Sequence, residues 1–266
     1  MKVYCADGGA GLPLIYNWIK DENMKVYCAE MRQFDLIFKQ RPNIPKFYIL
    51  FSFYKSQTID PYLPFMKELI IDSGAFSLQK QKVSESKVMK YFNDYKKFIE
   101  RNTEYSFING FFELDIPRQI GYDNVKEIRN ELFEVSDKII PVWHKEYGLE
   151  EFKKMVNDYD YIGVSGVSNR NIKKQSYGKV VRYCHKHNCK IHGLGLLSKT
   201  VLNNVPFDSV DGTSWLKTVR YAQYDDKKVN SQYVHDHQYE LTYVNLLEHI
   251  KMQEDYYKRW KHYHND

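Results

Sequence analysis

Leu69-Ile70-Ile71-Asp72-Ser73-Gly74-Ala75-Phe76 decides how this chain of 266 residues is read. Its apolar half is short and unbroken, as a strand buried on both faces must be. It ends on a carboxylate and passes at once into small turn residues. Phe207-Asp208-Ser209-Val210-Asp211-Gly212-Thr213-Ser214-Trp215 repeats the arrangement, with Asp211 in the place of Asp72. The carboxyl end of a parallel barrel strand is where (β/α)8 enzymes hold their reactive groups. Two carboxylates buried there are costly unless chemistry uses them.

Outward from these two segments, strand-like runs are expected at residues 2–6, 47–53, 69–72, 107–115, 138–143, 161–164, 190–194 and 207–211. Amphipathic helical stretches separate them, at 84–101, 123–135, 149–159 and 177–187. Alternating strands and helices imply right-handed βαβ units on a parallel sheet. Eight such strands closing on themselves give an α/β fold, a single (β/α)8 TIM barrel; an open doubly wound sheet is the alternative. The long first connection, 8–46, has room for one or two helices. No Pro/Gly linker and no internal repeat is read, so residues 1–266 are expected to form one domain. The barrel would span about 1–216 and a C-terminal helical appendage about 217–266, with 231–264 a long aromatic-rich helix.

Hydrophobic residues make up 43% of the chain, enough for a barrel core, and the net charge of +5 permits a polyanionic partner without demanding one. The four cysteines (Cys5, Cys28, Cys184, Cys189) are too scattered for a disulfide framework, which points to a reducing compartment. No run approaches the roughly 18 apolar residues of a membrane span, and Asp7 interrupts any signal-like stretch. A cytoplasmic location is expected.

The remaining motifs lie at the ends of the expected strands. Ser73, Gly74 and Ala75 allow close backbone approach to a ligand, and Phe76 offers a ring face at the barrel mouth; Asp72 as a plain helix cap is the rival reading. Asp115 precedes a strand-ending Pro117 and could accept hydrogen bonds from the N–H edge of a purine, or make an Asx-type turn. His144 follows the fifth strand, where a structural and a functional role weigh equally. Gly163-Val164-Ser165-Gly166 and His192-Gly193-Leu194-Gly195 either clear space for a flat ligand or pack tightly. Asp208 and Asp211 point to opposite faces of their strand, and Asp211 is the nearer to the mouth. Arg170, Lys173, Lys174, Lys179 and Arg182 belong to an acid-free basic segment that could follow phosphates or simply face solvent. Cys184 and Cys189 lack zinc-finger spacing.

Taken in order, these motifs resemble the tRNA-guanine transglycosylase family, and within it the short branch of phages and bacteria that modifies DNA. The DSG(G/A)F motif of the family is similar to Asp72–Phe76, its aspartate after the fourth strand to Asp115, and its glycine-rich strand ends to Gly163–Gly166 and Gly193–Gly195. The D-x-x-D pair of its last strand resembles Asp208-Ser209-Val210-Asp211. The second member is the family's nucleophile; another register would give that role to Asp208. The chain departs from the pattern in three ways. It has no cysteine beyond Cys189, so the family's zinc site is missing; His235 and His237 stand at a comparable distance, but on a helix they would diverge, which speaks against zinc there. His144 replaces the family's glutamine. There is no room for RNA-binding extensions, which favours DNA over tRNA.

The resemblance implies an enzyme, a pentosyltransferase that exchanges guanine in DNA for a free 7-deazaguanine base through a covalent ester of Asp211 with deoxyribose. Asp72 would act as acid and base. Ser73, Phe76, Asp115, His144, Gly163–Gly166, Gly193, Leu194, Gly195 and Asp208 would bind the base. No cofactor is implied, and there is no P-loop. For a phage-encoded enzyme the compartment would be the host cytoplasm. The same chemistry on tRNA, a glycoside hydrolase, and a non-catalytic nucleic-acid-binding barrel are the other readings.

Overall fold

Short apolar runs joined by amphipathic helices close here into a ring. The computed structural model describes residues 24–29, 34–81, 84–165, 176–224 and 227–261. Its strands are β1 (Lys25–Ala29), β2 (Phe47–Ser52), β3 (Met66–Asp72), β4 (Ile108–Phe112), β5 (Ile139–Ile140 with Val142–Trp143), β6 (Tyr161–Ser165), β7 (Lys190–Leu194) and β8 (Ser209–Gly212). All pairings among them are parallel, and β1 bonds to both β2 and β8. Pro141, which has no N–H, divides β5 into two halves: Ile139–Ile140 pairs with β4 and Val142–Trp143 with β6. Its carbonyl still accepts the Gly163 N–H at 2.7 Å, so the ring is continuous through the proline. The fold is a (β/α)8 barrel.

The first barrel position corrects the sequence expectation. The strand expected at residues 2–6 lies outside the described residues. Position one is filled by Lys25–Ala29, inside the stretch expected to be a helical connection. Met24–Ala29 repeats Met1–Ala6 residue for residue, so the chain does carry a short internal repeat. Identical hexapeptides have identical strand propensity, and pattern alone cannot choose between them.

Helices cover the outside: α1 (Phe34–Gln40), α2 (Ala75–Gln79), α3 (Glu85–Asn102), α4 (Pro117–Ile120), α5 (Tyr122–Phe133), α6 (Gly148–Asp158), α7 (Tyr177–Lys186) and α8 (Lys199–Leu202). On α3 the stripe Val88, Phe92, Tyr95, Phe98 and Ile99 is buried against the sheet, following the 3.6-residue period. After β8 come α9 (Lys217–Tyr221), a hairpin of β9 (Gln223–Tyr224) and β10 (Lys227–Lys228), α10 (Ser231–Asp236) and α11 (Gln238–Lys261). The expected single helix is thus broken at His237.

The C-terminal helical part follows the barrel as expected, and its long helix packs against it. Helix α11 lies on β1 and β2. The ladder between β2 and β3 has a register irregularity between Phe47 and Tyr48, and there the Tyr48 backbone turns to a side chain. That side chain is Gln253, accepting from the N–H at 3.2 Å and donating to the carbonyl at 3.1 Å. Trp260, 2% exposed, donates to the Leu202 carbonyl at 3.2 Å. Truncating a side chain so buried costs about 3–5 kcal/mol. No helix among the described residues is long and apolar enough to cross a membrane.

Candidate active site at the carboxyl end of the barrel

Strand alternation decides which side chains enter the ring. Tyr27, Leu50, Ile70, Phe112, Ile140 and Val142 form one buried cluster from five different strands, the barrel interior. Asp72 is in phase with Ile70, and Asp211 with Ser209. Both carboxylates therefore point inward at the carboxyl ends of β3 and β8, with β1 and β2 between them on the ring.

Their surroundings differ. Asp72 is raised to about 6, chiefly by burial. The Gly74 N–H opposes that shift, the charge of Asp211 adds to it, and the Ser52 hydroxyl opposes it again. Gly74 has φ +80°, and a Cβ there would lie 2.3 Å from Tyr54 Cβ, so the turn requires glycine. Asp211 receives two hydrogen bonds on Oδ1, from His192 Nε2 at 3.0 Å and the Gly195 N–H at 2.9 Å. Gly195 reaches it through a left-handed turn, φ +63°.

Behind Asp211 runs a chain of hydrogen bonds down the barrel axis. His192, wholly buried, meets the Ser209 hydroxyl through Nδ1 at 2.5 Å, and Ser209 meets the Tyr161 hydroxyl. Nε2 thus faces the Asp211 carboxylate and Nδ1 the Ser209 hydroxyl. His192, Ser209 and Tyr161 were not among the expected site residues. Their signal was present, since all three share the inward phase of their strands.

A second group forms at the ends of β4 and β5. His144 Nε2 bonds to Asp115 Oδ2. Burial works against a charged ring, but the bond to Asp115 and the charges of Asp115, Glu146 and Glu113 outweigh it and raise the His144 pKa. Asp115 Oδ1, His144 Nδ1 and the Tyr147 hydroxyl are buried with no protein partner, which in a native site calls for a ligand or water. Tyr147 lies edge-on to the His144 ring at 5.2 Å. Beneath them the Glu113 carboxylate takes Arg129 Nε at 2.6 Å and Nη2 at 3.1 Å. It also accepts the Val142 N–H at 2.6 Å, splinting the break at Pro141.

Several expected base-binding residues have other roles. Asp208 corrects the sequence reading, for it sits at the amino end of β8. There its Oδ2 takes the Ile191 N–H at 2.7 Å and His185 Nε2 at 3.0 Å. Ser73, 1% exposed, donates to the Glu113 carbonyl at 2.8 Å and ties β3 to β4. Gly163 and Gly193 answer to packing, because a Cβ would meet Leu194 Cδ1 at 2.8 Å and Leu196 Cδ2 at 2.9 Å respectively. Leu194 is thus part of that packing. Val164 is buried among outer-layer side chains such as Phe152 and Ile191, and Ser165 ends β6. Phe76 is 61% exposed beyond Asp72, with Lys80 Nζ 4.0 Å from its ring centre. Gly166, Arg170, Lys173 and Lys174 lie outside the described residues. Lys179 and Arg182 are on α7, on the outer layer. His235 is exposed and His237 stacks on Tyr233. Among the described residues no group of three or more His, Cys, Asp or Glu is arranged to hold a metal ion.

No family model matches the chain, and no curated protein does. Among solved structures it is similar to a GH10 endoxylanase retrieved from a sugarcane soil metagenome, at 10% identity and TM-score 0.42, over 86% of this chain and 99% of that one. It is also similar to a protein from Burkholderia cenocepacia J2315 described as a lyase or mutase, at 8% identity and TM-score 0.41, over 86% and 94%.

Proposed function

We propose that this chain is a DNA-guanine transglycosylase, exchanging guanine in DNA for a free 7-deazaguanine base. The observation that carries the reading is the pair of inward carboxylates, Asp72 poised near 6 and Asp211 held on Oδ1 by two donors. Two carboxylates in unlike surroundings are the usual means of dividing acid–base work from nucleophilic work.

The target nucleotide leaves the stack, at a cost of a few kcal/mol, and its base enters the mouth beside Phe76. Asp115 Oδ1 accepts from the N1–H and amino edge of guanine. The His144 ring, whose charged form the bond to Asp115 favours, donates Nδ1–H to O6. Together they supply partners for Asp115 Oδ1 and His144 Nδ1, which have none within the protein. Asp211 Oδ2 attacks C1′ on the face opposite the base. The C1′–N9 bond breaks through an oxocarbenium-like transition state, and protonated Asp72 gives its proton to N9. The ester keeps Oδ1 bonded to His192 and Gly195. A 7-deazaguanine then replaces guanine, Asp72 takes the proton from its N9, and N9 attacks C1′ to release Asp211. The proton returns to Asp72, so the cycle balances without an oxidant or cofactor, and configuration is retained.

The test is adduct trapping on a denaturing gel. A covalent DNA adduct that Asp211→Ala abolishes and 7-deazaguanine discharges is the expected result. An adduct with tRNA alone would move the activity to RNA, and no adduct or exchange with either polymer would refute the reading.

A further inference from the structure

Helix α8 has only four residues, and the segment around it faces α9, β9 and α11. A half-open groove of about 940 Å³ remains there. That is the upper end of the roughly 300–1,000 Å³ typical of ligand sites, and too large for a lone ion. Ser214 and Trp215, three and four residues beyond Asp211, line its upper end.

Asn245 and His249, one turn apart on α11, line the same groove, 6% and 3% exposed. Asn245 Nδ2 and His249 Nε2 have no protein partner. His249 is lowered to about 4 by burial, against a hydrogen bond to the Tyr27 backbone, so the ring is neutral at pH 7. With Nδ1 spent on that bond, Nε2 is an acceptor. The groove therefore offers a buried donor and a buried acceptor side by side, matched to the edge of a nucleobase. Lys199, Lys217, Lys251 and Arg259 line it against two acids, Glu248 and Asp255. Tyr224, 49% exposed, lines it too, and Tyr221 and Tyr233 on the neighbouring helices are 70% and 51% exposed. Contacts of α9 with β9, α10 and α11 make this one continuous surface. Exposed aromatic rings among cations make a surface that tracks a single strand.

We propose that this groove holds the single-stranded DNA flanking the reacting nucleotide, with one base reaching Asn245 and His249 and its phosphates against the lysines. The assignment rests on the DNA-exchange reading for its polymer, and its direct readout is independent of catalysis.

Fluorescence anisotropy with a short labelled single strand tests it on the full chain. Lys217→Glu is expected to weaken binding about tenfold and to lower the slope of log affinity against log salt by roughly one or more. Tyr224→Ala, on the surface and safe for folding, and Asn245→Leu should each weaken binding about fivefold or more. Lys90→Glu, on the exposed face of α3, should not. Base exchange is followed in the same preparations. Strand binding that the groove variants weaken, in a protein with no exchange activity, would sink the transglycosylase reading and keep the groove. Exchange with strand affinity unmoved by the groove variants would overturn the groove and keep the reading. The groove is overturned too if no strand binds, or if deoxyguanosine monophosphate competes as tightly as the strand, which would mark a mononucleotide pocket.

Discussion

His192 Nε2 lies 3.0 Å from Asp211 Oδ1, and the same ring meets Ser209 through Nδ1 on its other side. The imidazole is held at both nitrogens in a fully buried position, so its orientation is fixed before any substrate arrives. In the proposed cycle the donor on Oδ1 stabilises the carboxylate as the ester breaks. His192→Leu should slow discharge of the covalent adduct by about 10²–10³, the range for a lost donor at a charged oxygen. Stability should fall by roughly 1–3 kcal/mol, because Ser209 loses a partner. His192→Gln, whose amide can still donate, should recover part of the rate. Single-turnover discharge measured beside urea unfolding separates the two effects; a variant that loses stability but discharges at the wild-type rate would reduce His192 to a packing residue.

Asp72 couples stability to pH. Its folded value, about 6, is above the ordinary 3.8, so the folded state holds the proton more tightly than the unfolded one. Stability is highest below about pH 4, falls as pH rises toward about 6, and is then level, lower by about 3 kcal/mol. Asp72→Asn should therefore stabilise the protein by about 2–3 kcal/mol at pH 8, with the difference gone near pH 4, while exchange is lost. Urea melts across this range measure it, and a constant difference would place the titrating group elsewhere. The kinetics should divide at the same point. Protonated Asp72 favours departure of guanine and ionised Asp72 favours entry of the new base, so trapped adduct should accumulate below about pH 6.

Much of this fold was legible because buried parallel strands must be apolar and short, and β2, β3, β6 and β7 fell close to where that rule put them. The first strand was not, because Met1–Ala6 and Met24–Ala29 are the same six residues. In the site, Asp72 and Asp211 announced themselves as carboxylates closing apolar runs. Glu113 and Arg129 did not, since their pairing spans 16 residues and depends on the sheet and α5 coming together. Asp208 misled for the opposite reason. It shares a motif with Asp211, but three residues along a strand both invert the face and move the carboxylate to the other end of the barrel.

The Glu113–Arg129 pair stands in for the hydrogen bond that Pro141 cannot make, and both side chains are almost wholly buried. Arg129→Met strands the Glu113 carboxylate and should cost about 3–5 kcal/mol. Adding Glu113→Gln, which keeps an acceptor for the Val142 N–H, should recover most of that loss. A double-mutant cycle by chemical denaturation reads the coupling, expected at about 2 kcal/mol or more. Additive losses would show that Glu113 acts through Val142 alone.

Asp208 and Asp211 give the sharpest contrast, one just before β8 and one within it, in unlike surroundings. Asp208 joins the start of β7 to α7 through Ile191 and His185, far from the mouth. Asp208→Asn leaves an acceptor for one donor but removes the charge that faces His185, so stability should drop by about 1–3 kcal/mol. Exchange per folded molecule should stay within about twofold, since no reacting atom is touched. Asp211→Asn should do the reverse. Its amide oxygen still accepts from Gly195, and the fold should change by less than about 1 kcal/mol. It cannot form the ester, and exchange should fall by at least about 10³. Rates normalised to the folded fraction, with the adduct followed on the same samples, decide between the two positions. An adduct retained in Asp211→Asn and lost in Asp208→Asn would exchange their roles.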